Sequence, residues 1–480
     1  MHMTVAQILE ATGSRLVTGD RAAWVDGCSI DTRTIQKGDL FVAFPGERVD
    51  GNDFVPAAIE AGAACVAMTR EPSEEVVAQA EAAGCAIVMQ WQPDSERFLL
   101  SLASFWREQN STWIVVGVTG SVGKTTTKEM LAAAIGTMYP VHATSGNYNS
   151  LIGVALTVLA AGPEHRVLVL EMGMNHAGEL FRQTRAVRPH LAVITNIGTS
   201  HIGNLGSREG IARAKAEILS GIENTPFVMG GGRRLYLRGE EDFFDLIEQQ
   251  ARYNSVDVVP CGPGAGNEVR RSRPVLDEEG KASFTITYAD GEESPVHLAI
   301  PGTHVADDAL LAAAVADALR CPRAAVAEAL GKVRPYAMRL ETVRVEGRPG
   351  VIDDSYNASP SSMAGALDVL AATPCEGRRV AVLGEMGEMG DDAPRLHGYV
   401  GAYAAAKDVD LLVTVGGELA AQIVEAAKTC GFSADRIESF ATVEEAARTI
   451  IPILDERDLV LVKASRAAAL DAFAKEVLGQ

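Results

Sequence analysis

The chain has 480 residues, 47% hydrophobic and 22% charged, with a net charge of -20. At about 150 residues per domain there is room for roughly three domains with sizeable cores. The overall negative field repels polyanions, so nucleic acid is not an expected partner, and no apolar run is long enough for membrane insertion.

The first residues, Met1 to Gly13, lack a basic-then-apolar leader. Seven cysteines are scattered with no C-x-x-C pair and no zinc-type spacing. They are expected to be buried, reduced thiols in a cytoplasmic protein. A monomer is the default expectation.

Short β-branched runs alternate with alanine-rich helical stretches, the pattern of α/β domains with mainly parallel sheets. The first segment ends near Pro93 or Arg97, and the domain is taken as 1–100. Its strands are Asp39–Phe44 and Ala64–Met68, around a helix at Val55–Ala63. The second domain, 101–333, opens on the strand Trp113–Gly117 and continues through strands Val167–Leu170 and Leu191–Thr195. Residues 256–301 change character, and pieces such as Ser283–Tyr288 between Gly-containing turns predict antiparallel hairpins closing that domain. A helix at Ala306–Arg320 follows, then a linker at Lys332–Arg339 broken by Pro335. The third domain, 334–480, carries strands at Val380–Leu383, Leu411–Val415 and Leu459–Val462.

The strand Trp113–Gly117 runs into the glycine loop Thr119, Gly120, Ser121, Val122, Gly123, Lys124, Thr125, Thr126 and then a helix at Thr125–Ile135. Backbone N–H groups at a helix N-terminus cradle phosphate oxygens, so this setting predicts an ATP phosphate loop. Gly120 and Gly123 let the backbone approach, Lys124 reaches the β- and γ-phosphates, and Thr125 offers a hydroxyl to Mg2+. The usual G-x-x-x-x-G-K-[ST] spacing is missed by one residue, because Val118 stands where the first glycine belongs and Gly117 lies one further back.

A metal-holding carboxylate is expected from a neighbouring strand, and Glu171 ends Val167–Leu170. The strand Leu191–Thr195 delivers Asn196 to His201 at its carboxyl end, where open α/β sheets place ligands. Glu171 and His201 beside the loop suggest a two-magnesium site with Thr125. A second glycine run, Gly384, Gly387 and Gly390, follows a strand, but its spacing is not that of a dinucleotide fingerprint.

Taken together, the Gly117–Thr126 string, the Glu171 strand end, the Asn196–His201 turn and Ala214–Ile218 resemble the central domain of the Mur ligases, which build the peptide stem of bacterial peptidoglycan. The family loop carries the one-residue-longer glycine spacing. Val122 stands where the family more often has asparagine or another small polar residue. Asp31, Thr32, Arg33, the Lys37–Ala43 run and Asp50, Gly51, Asn52 are similar to the UDP-binding first domain of the two ligases acting last, with Asn52 in place of the commoner histidine. Asp353 to Pro360 resembles the D-D-[ST]-Y-N-A-N-P signature of the member adding a dipeptide, with Ser359 replacing asparagine. The Gly384–Gly390 run, His397 and Lys463 to Arg466 fit the same family, with Ala464 in place of glycine. In the family segment G-x-H-N-x-x-N, both asparagines are replaced, by Val305 and Asp308.

The resemblance implies three α/β domains, with a central P-loop parallel-sheet ATPase domain and a Rossmann-like C-terminal domain. It implies an ATP- and magnesium-dependent amide ligase that joins D-Ala-D-Ala to UDP-MurNAc-tripeptide through an acyl phosphate. It further implies catalytic roles for Lys124, His201, Lys215 and Arg339. Lys215 matches a family lysine that is often carbamylated, and Arg339 a hinge arginine that contacts phosphate on closure. Asp354 is placed near the ribose. Ser29, Asp31, Thr32, Arg33, Asp50, Gly51, Asn147, Asn149, Tyr356, Asn357, Ser465 and Arg466 are placed on the substrates. Two alternatives stay open at this point. One is another amide ligase of the superfamily, adding the third residue or of folyl-polyglutamate type, although no D-N-P-R-type motif is present. The other is a nucleotide-dependent binding module without ligase chemistry.

Overall fold

A computed structural model describes residues 1–480 other than 47, 48, 93 and 230. Pro93, one of the two candidate domain ends, therefore lies outside the described residues. Three separate large sheets organise the chain, each mostly parallel and each ending in an antiparallel edge.

The first sheet runs in the order Arg15–Thr18, Ala86–Met89, Cys65–Met68, Asp39–Val42, Gly27–Ser29, and only Arg15–Thr18 is antiparallel to its neighbour. The helix Ser95–Gln109 spans residue 100 and packs on both Val5–Thr12 and Leu151–Ala160, so a continuous helix joins the first two sheets.

In the second sheet, Ile114–Thr119 lies between Leu191–Ile194 and Val167–Glu171. All six of its residues are buried. Its alternate side chains feed two different cores: Val115 joins the cluster of Leu168, Leu170 and Ile194, while Ile114, Val116 and Val118 join Val167, Val169 and the helix Val305–Ala318. A strand buried on both faces reads as a continuous apolar run, which is why the sequence exposes it plainly. Because the chain moves to opposite sides after this strand, a crevice opens at its carboxyl end.

The expectation of antiparallel hairpins over residues 256–301 holds for only part of that stretch. Lys281–Thr287 and Glu293–Pro301 form an antiparallel hairpin, but Asp257–Gly262 pairs in parallel with Arg234–Arg238, and Val269–Arg271 extends the parallel ladder. The helix Phe244–Tyr253 supplies the crossover that parallel pairing requires.

The third sheet follows the order Glu341–Val343, Gly350–Asp353, Leu459–Lys463, Arg379–Gly384, Leu411–Val415, Ile437–Phe440. Its strand ends at Asp353, Lys463 and Gly384 face the crevice of the second sheet, and the cavity between them measures about 1070 Å³. All seven cysteines are free; Cys65, Cys85, Cys261 and Cys321 are buried as expected, whereas Cys430 is exposed. Among the described residues, no helix is long and apolar enough to cross a membrane.

Candidate active site

The glycine loop joins Ile114–Thr119 to the helix Lys124–Gly136. Two glycines are demanded by space as well as by backbone angle. Gly120 has φ +147°, and a Cβ there would lie 1.8 Å from Thr195 Oγ1; Gly123 has φ +85°, and a Cβ would lie 2.7 Å from Asp308 Oδ1. The neighbouring strand end clamps the loop between them. Thr195 Oγ1 donates to the Val122 carbonyl at 2.6 Å, Asn196 Nδ2 to the same carbonyl at 2.9 Å, and the Val122 N–H donates to Asn196 Oδ1 at 3.0 Å. The Gly198 N–H donates to Ser121 Oγ at 2.8 Å. Val122 is thus held through its backbone alone, so its side-chain identity matters little. Sequence reasoning noted the Asn196–His201 turn but missed Thr195 and Asn196 as the clamp.

Lys124 Nζ donates to the carbonyls of Gly120 at 2.8 Å and Ser121 at 3.3 Å. Burial pulls its pKa down, opposed by the Glu171 carboxylate. Lys215, buried on the helix Arg208–Ala216, donates to the same Gly120 carbonyl at 2.8 Å. Burial, and then the positive Lys124, hold its amine well below the ordinary lysine range.

Glu171 is fully buried. Its Oε1 accepts from Asn149 Nδ2 at 2.8 Å, while Oε2 has no hydrogen-bond partner among the described residues. A buried carboxylate oxygen left bare in the same cavity as the buried Thr125 hydroxyl is a donor set suited to a hard cation such as magnesium. His201 is three-quarters enclosed or more, at φ +65°, and its Nδ1 contacts the Glu388 carboxylate of the third sheet's domain. That His201 contact holds the Glu388 carboxyl below its usual range. Gly203 completes the junction: its N–H donates to Glu388 O at 2.9 Å, and a Cβ there would lie 2.7 Å from Gly390 N.

Across the cavity, the Arg339 guanidinium stacks 4.1 Å from the centre of the Tyr356 ring. Its flanking residues Met338 and Leu340 have φ of +60° and +54°, which marks the linker as a tight turn. Asp354 Oδ1 accepts from the Leu340 N–H at 3.2 Å, and Oδ2 pairs with Lys463 Nζ at 2.5 Å. Lys463 also donates to the Asn357 carbonyl at 2.9 Å. Lys463 was legible only as part of a motif; the structure makes it the buried post that fixes the Asp354–Asn357 turn. His397 is likewise architectural: its Nε2 accepts from the Met386 N–H at 2.8 Å and its Nδ1 donates to the Ala393 carbonyl at 2.7 Å.

The cavity lining therefore brings together Ser121 to Thr126, Asn149, Glu171, His201, Arg339, Asp354, Tyr356, Asn357, Ser465 and Arg466. Thr119, Gly120 and Lys215 lie directly behind it, and Asn147 lies in the same loop as Asn149. The remaining expected residues sit elsewhere, at the carboxyl ends of the first sheet. There Asp31 pairs with Arg33 at 2.5 Å, which pulls the Asp31 carboxyl down to about 2, and Ser29 Oγ donates to Asp31 O at 2.9 Å beside Thr32. Asp50 Oδ2 pairs with Arg70 at 3.0 Å, and Gly51 leaves no room for a Cβ against Phe44 N. Asn52 Nδ2 donates to Thr69 Oγ1 at 2.7 Å.

A phosphate loop facing a second α/β sheet across one polar cavity, with a third sheet carrying its own charged edge, defines a nucleotide-dependent enzyme assembled from three modules. Comparison with known proteins gives the class its name: residues 25–96 match the Mur ligase family catalytic domain, 118–316 the Mur ligase middle domain and 338–466 the Mur ligase glutamate ligase domain. The chain belongs to the Mur ligase family. It is 35% identical to the UDP-N-acetylmuramoyl-tripeptide--D-alanyl-D-alanine ligase of Bacillus subtilis, over 95% of this chain and 93% of the relative. The enzyme of the same name from Escherichia coli is 31% identical over 98% and 97%. A crystal structure of MurF from Acinetobacter baumannii superposes with a TM-score of 0.87 at 30% identity, covering 100% of this chain and 99% of that one.

Proposed function

We propose that this chain is the ATP-dependent ligase that joins D-alanyl-D-alanine to UDP-N-acetylmuramoyl-tripeptide in peptidoglycan precursor synthesis. The observation that carries the reading is the single cavity in which the phosphate loop and Glu171 face Arg339 and Tyr356. Relatives of that name match along nearly the whole chain, which favours this reading over the third-residue-adding and folyl-polyglutamate alternatives. A binding module without ligase chemistry has no use for two opposed polar faces.

A carboxylate is a poor electrophile, because its charge repels nucleophiles and oxide leaves badly. In the proposed reaction a tripeptide carboxylate oxygen attacks the γ-phosphorus of ATP and ADP departs. The dipeptide amine then attacks the acyl carbon, forming the amide and releasing phosphate, with the amine proton lost to solvent. Positioning and charge stabilisation account for most of such catalysis.

Thr119 to Thr126 hold the ATP phosphates through backbone N–H groups, and Lys124 swings from the loop carbonyls onto the transferring phosphoryl group. Thr125 and Glu171 would hold one magnesium ion and His201 a second; when bound, magnesium supplies neutralisation of the phosphate charge. Lys215, with its depressed amine, suits carbamylation, since a neutral amine is the form that adds to carbon dioxide. Arg339 meets the phosphate when the third domain closes, and Asp354 lies by the ribose. Tyr356, Asn357, Ser465 and Arg466 receive the dipeptide. Asn147 and Asn149 meet the tripeptide, and Ser29, Asp31, Thr32, Arg33, Asp50 and Gly51 take the UDP. The domains in this reading are 1–100, 101–333 and 334–480, acting as a cytoplasmic monomer.

The test is product mass. With ATP, magnesium, the tripeptide nucleotide and D-Ala-D-Ala together, the pentapeptide nucleotide should form. A faster reaction with free L-amino acids would overturn the assignment while sparing the family.

A further inference from the structure

Lys128 is a buried cation to which the reaction above gives no part. It lies one turn beyond Lys124 on the helix Lys124–Gly136 and is 1% exposed. Its Nζ donates to the Thr144 carbonyl at 2.8 Å and contacts the Glu129 carboxylate, which is partly open to solvent. The same ammonium sits over the Tyr336 ring, 5.8 Å from its centre. An ammonium is costly to bury, and a methionine of similar length would fill the space without that cost. What lysine adds is a set of directed donors and a charge, and here they reach two segments far apart in the chain. We propose that Lys128 is a positioning residue that sets the placement of Glu171 and Arg339 relative to the phosphate loop.

One arm of this arrangement runs through Thr144. Its N–H donates to the Val169 carbonyl at 3.0 Å, and its Oγ1 accepts from the Glu171 N–H at 2.9 Å. With Lys128 on its carbonyl, the N–H, hydroxyl and carbonyl of this buried threonine are all engaged. Glu171 is thereby tied to the helix that begins at Lys124. The other arm runs through Tyr336, in the linker between the central and C-terminal domains. Its hydroxyl lies 3.6 Å from the point a Cβ would occupy on Gly146, two residues after Thr144, so the ring rests against the central domain. Tyr336 O accepts from the Arg339 N–H at 3.0 Å, closing the turn that carries Arg339 into the cavity lining. Loss of the ammonium would release the Thr144 carbonyl and the Tyr336 ring together. Glu171 and Arg339, on opposite faces of the cavity, would then lose their common reference to the phosphate loop.

This role rests on the ligase reading, and steady-state turnover of the full chain separates the two. Lys128→Met and Tyr336→Leu should each lower kcat about tenfold, as misplacing reacting groups by a fraction of an ångström does. Equilibrium binding of ADP without magnesium should be unchanged in both, because the substitutions lie outside the phosphate loop. Tyr336→Phe keeps the ring beneath the ammonium and should turn over like the wild type. Placed in the Lys128→Met background, Tyr336→Leu should lower kcat little further, since the contact is already gone. A further loss of about tenfold there, or ADP affinity falling in step with turnover, would overturn the role of Lys128 and leave the ligase standing. Wild-type protein that makes no pentapeptide nucleotide would remove the ligase reading, and the positioning role with it. Should Lys128→Met not fold, Tyr336, which is 41% exposed, decides. A gap of about tenfold in kcat between Tyr336→Leu and Tyr336→Phe supports the proposal, and equal values contradict it.

Discussion

Lys124 and Lys215 share one acceptor: each Nζ donates to the Gly120 carbonyl at 2.8 Å. Two buried amines on one carbonyl repel each other, and the cost falls mainly on Lys215, whose neutral form is favoured. Because its folded-state pKa lies below that of the unfolded chain, unfolding takes up protons at pH values between the two. Lys215 therefore costs stability there, and the cost disappears as pH climbs through the ordinary lysine range.

Lys215→Met should consequently melt at the same temperature as the wild type or higher at pH 7, with the gap narrowing towards pH 10. Its turnover should fall by about a hundredfold or more, as expected for loss of a group acting at the reacting centre. Thermal unfolding at the two pH values, with steady-state rates, checks both halves. A variant clearly less stable at pH 7 would mean that Lys215 is charged and paired.

Gly203 sets the distance between the central and C-terminal domains. A Cβ there would lie 2.7 Å from Gly390 N, and the obstruction is backbone, which cannot move aside as a side-chain tip can. Gly203→Ala should open the junction at His201 and Glu388 and lower turnover at least about tenfold, because misplacing reacting groups by an ångström is that costly. Its melting temperature should stay close to that of the wild type, since the substitution falls in a helix of only four residues, Ile202–Leu205. Small-angle scattering should report a more extended particle; an unchanged particle with normal turnover would show that this contact is dispensable.

Asp354 and Lys463 form a nearly buried pair, with side chains 13% and 2% exposed. Removing one partner strands the other, so Asp354→Ala should cost about 3 kcal/mol in the stability of the C-terminal domain. Denaturant unfolding followed by far-ultraviolet circular dichroism would measure it. A loss of ATP affinity without that destabilisation would point instead to Asp354 acting mainly on the nucleotide.

What the sequence made legible follows from locality. The phosphate loop is a strand, a turn and a helix in succession, so the roles of Gly120, Gly123 and Lys124 can be read from a dozen residues. Glu171 could be read because it terminates an apolar run. The Thr195 and Asn196 clamp could not, since it depends on Leu191–Ile194 lying beside Ile114–Thr119. For the same reason Lys463 was visible as a motif but not as the post under Asp354, more than a hundred residues earlier in the chain. The parallel pairing of Asp257–Gly262 with Arg234–Arg238 was hidden by its sequence setting. Short strands between charged turns suit a hairpin, and only the crossover helix Phe244–Tyr253 distinguishes the two arrangements. Asp308 was noticed as a substitution, but its burial against Gly123 is a property of the fold.

In the proposed reaction, the cavity between the phosphate loop and Arg339 activates a carboxylate by phosphorylating it. Tripeptide nucleotide carrying heavy oxygen in its terminal carboxylate, turned over with ATP, magnesium and D-Ala-D-Ala, tests this directly. An acyl phosphate hands one carboxylate oxygen to the departing phosphate, so the released inorganic phosphate should carry one heavy oxygen for each amide formed. Unlabelled phosphate alongside amide formation would contradict the acyl-phosphate route and the role assigned to this site.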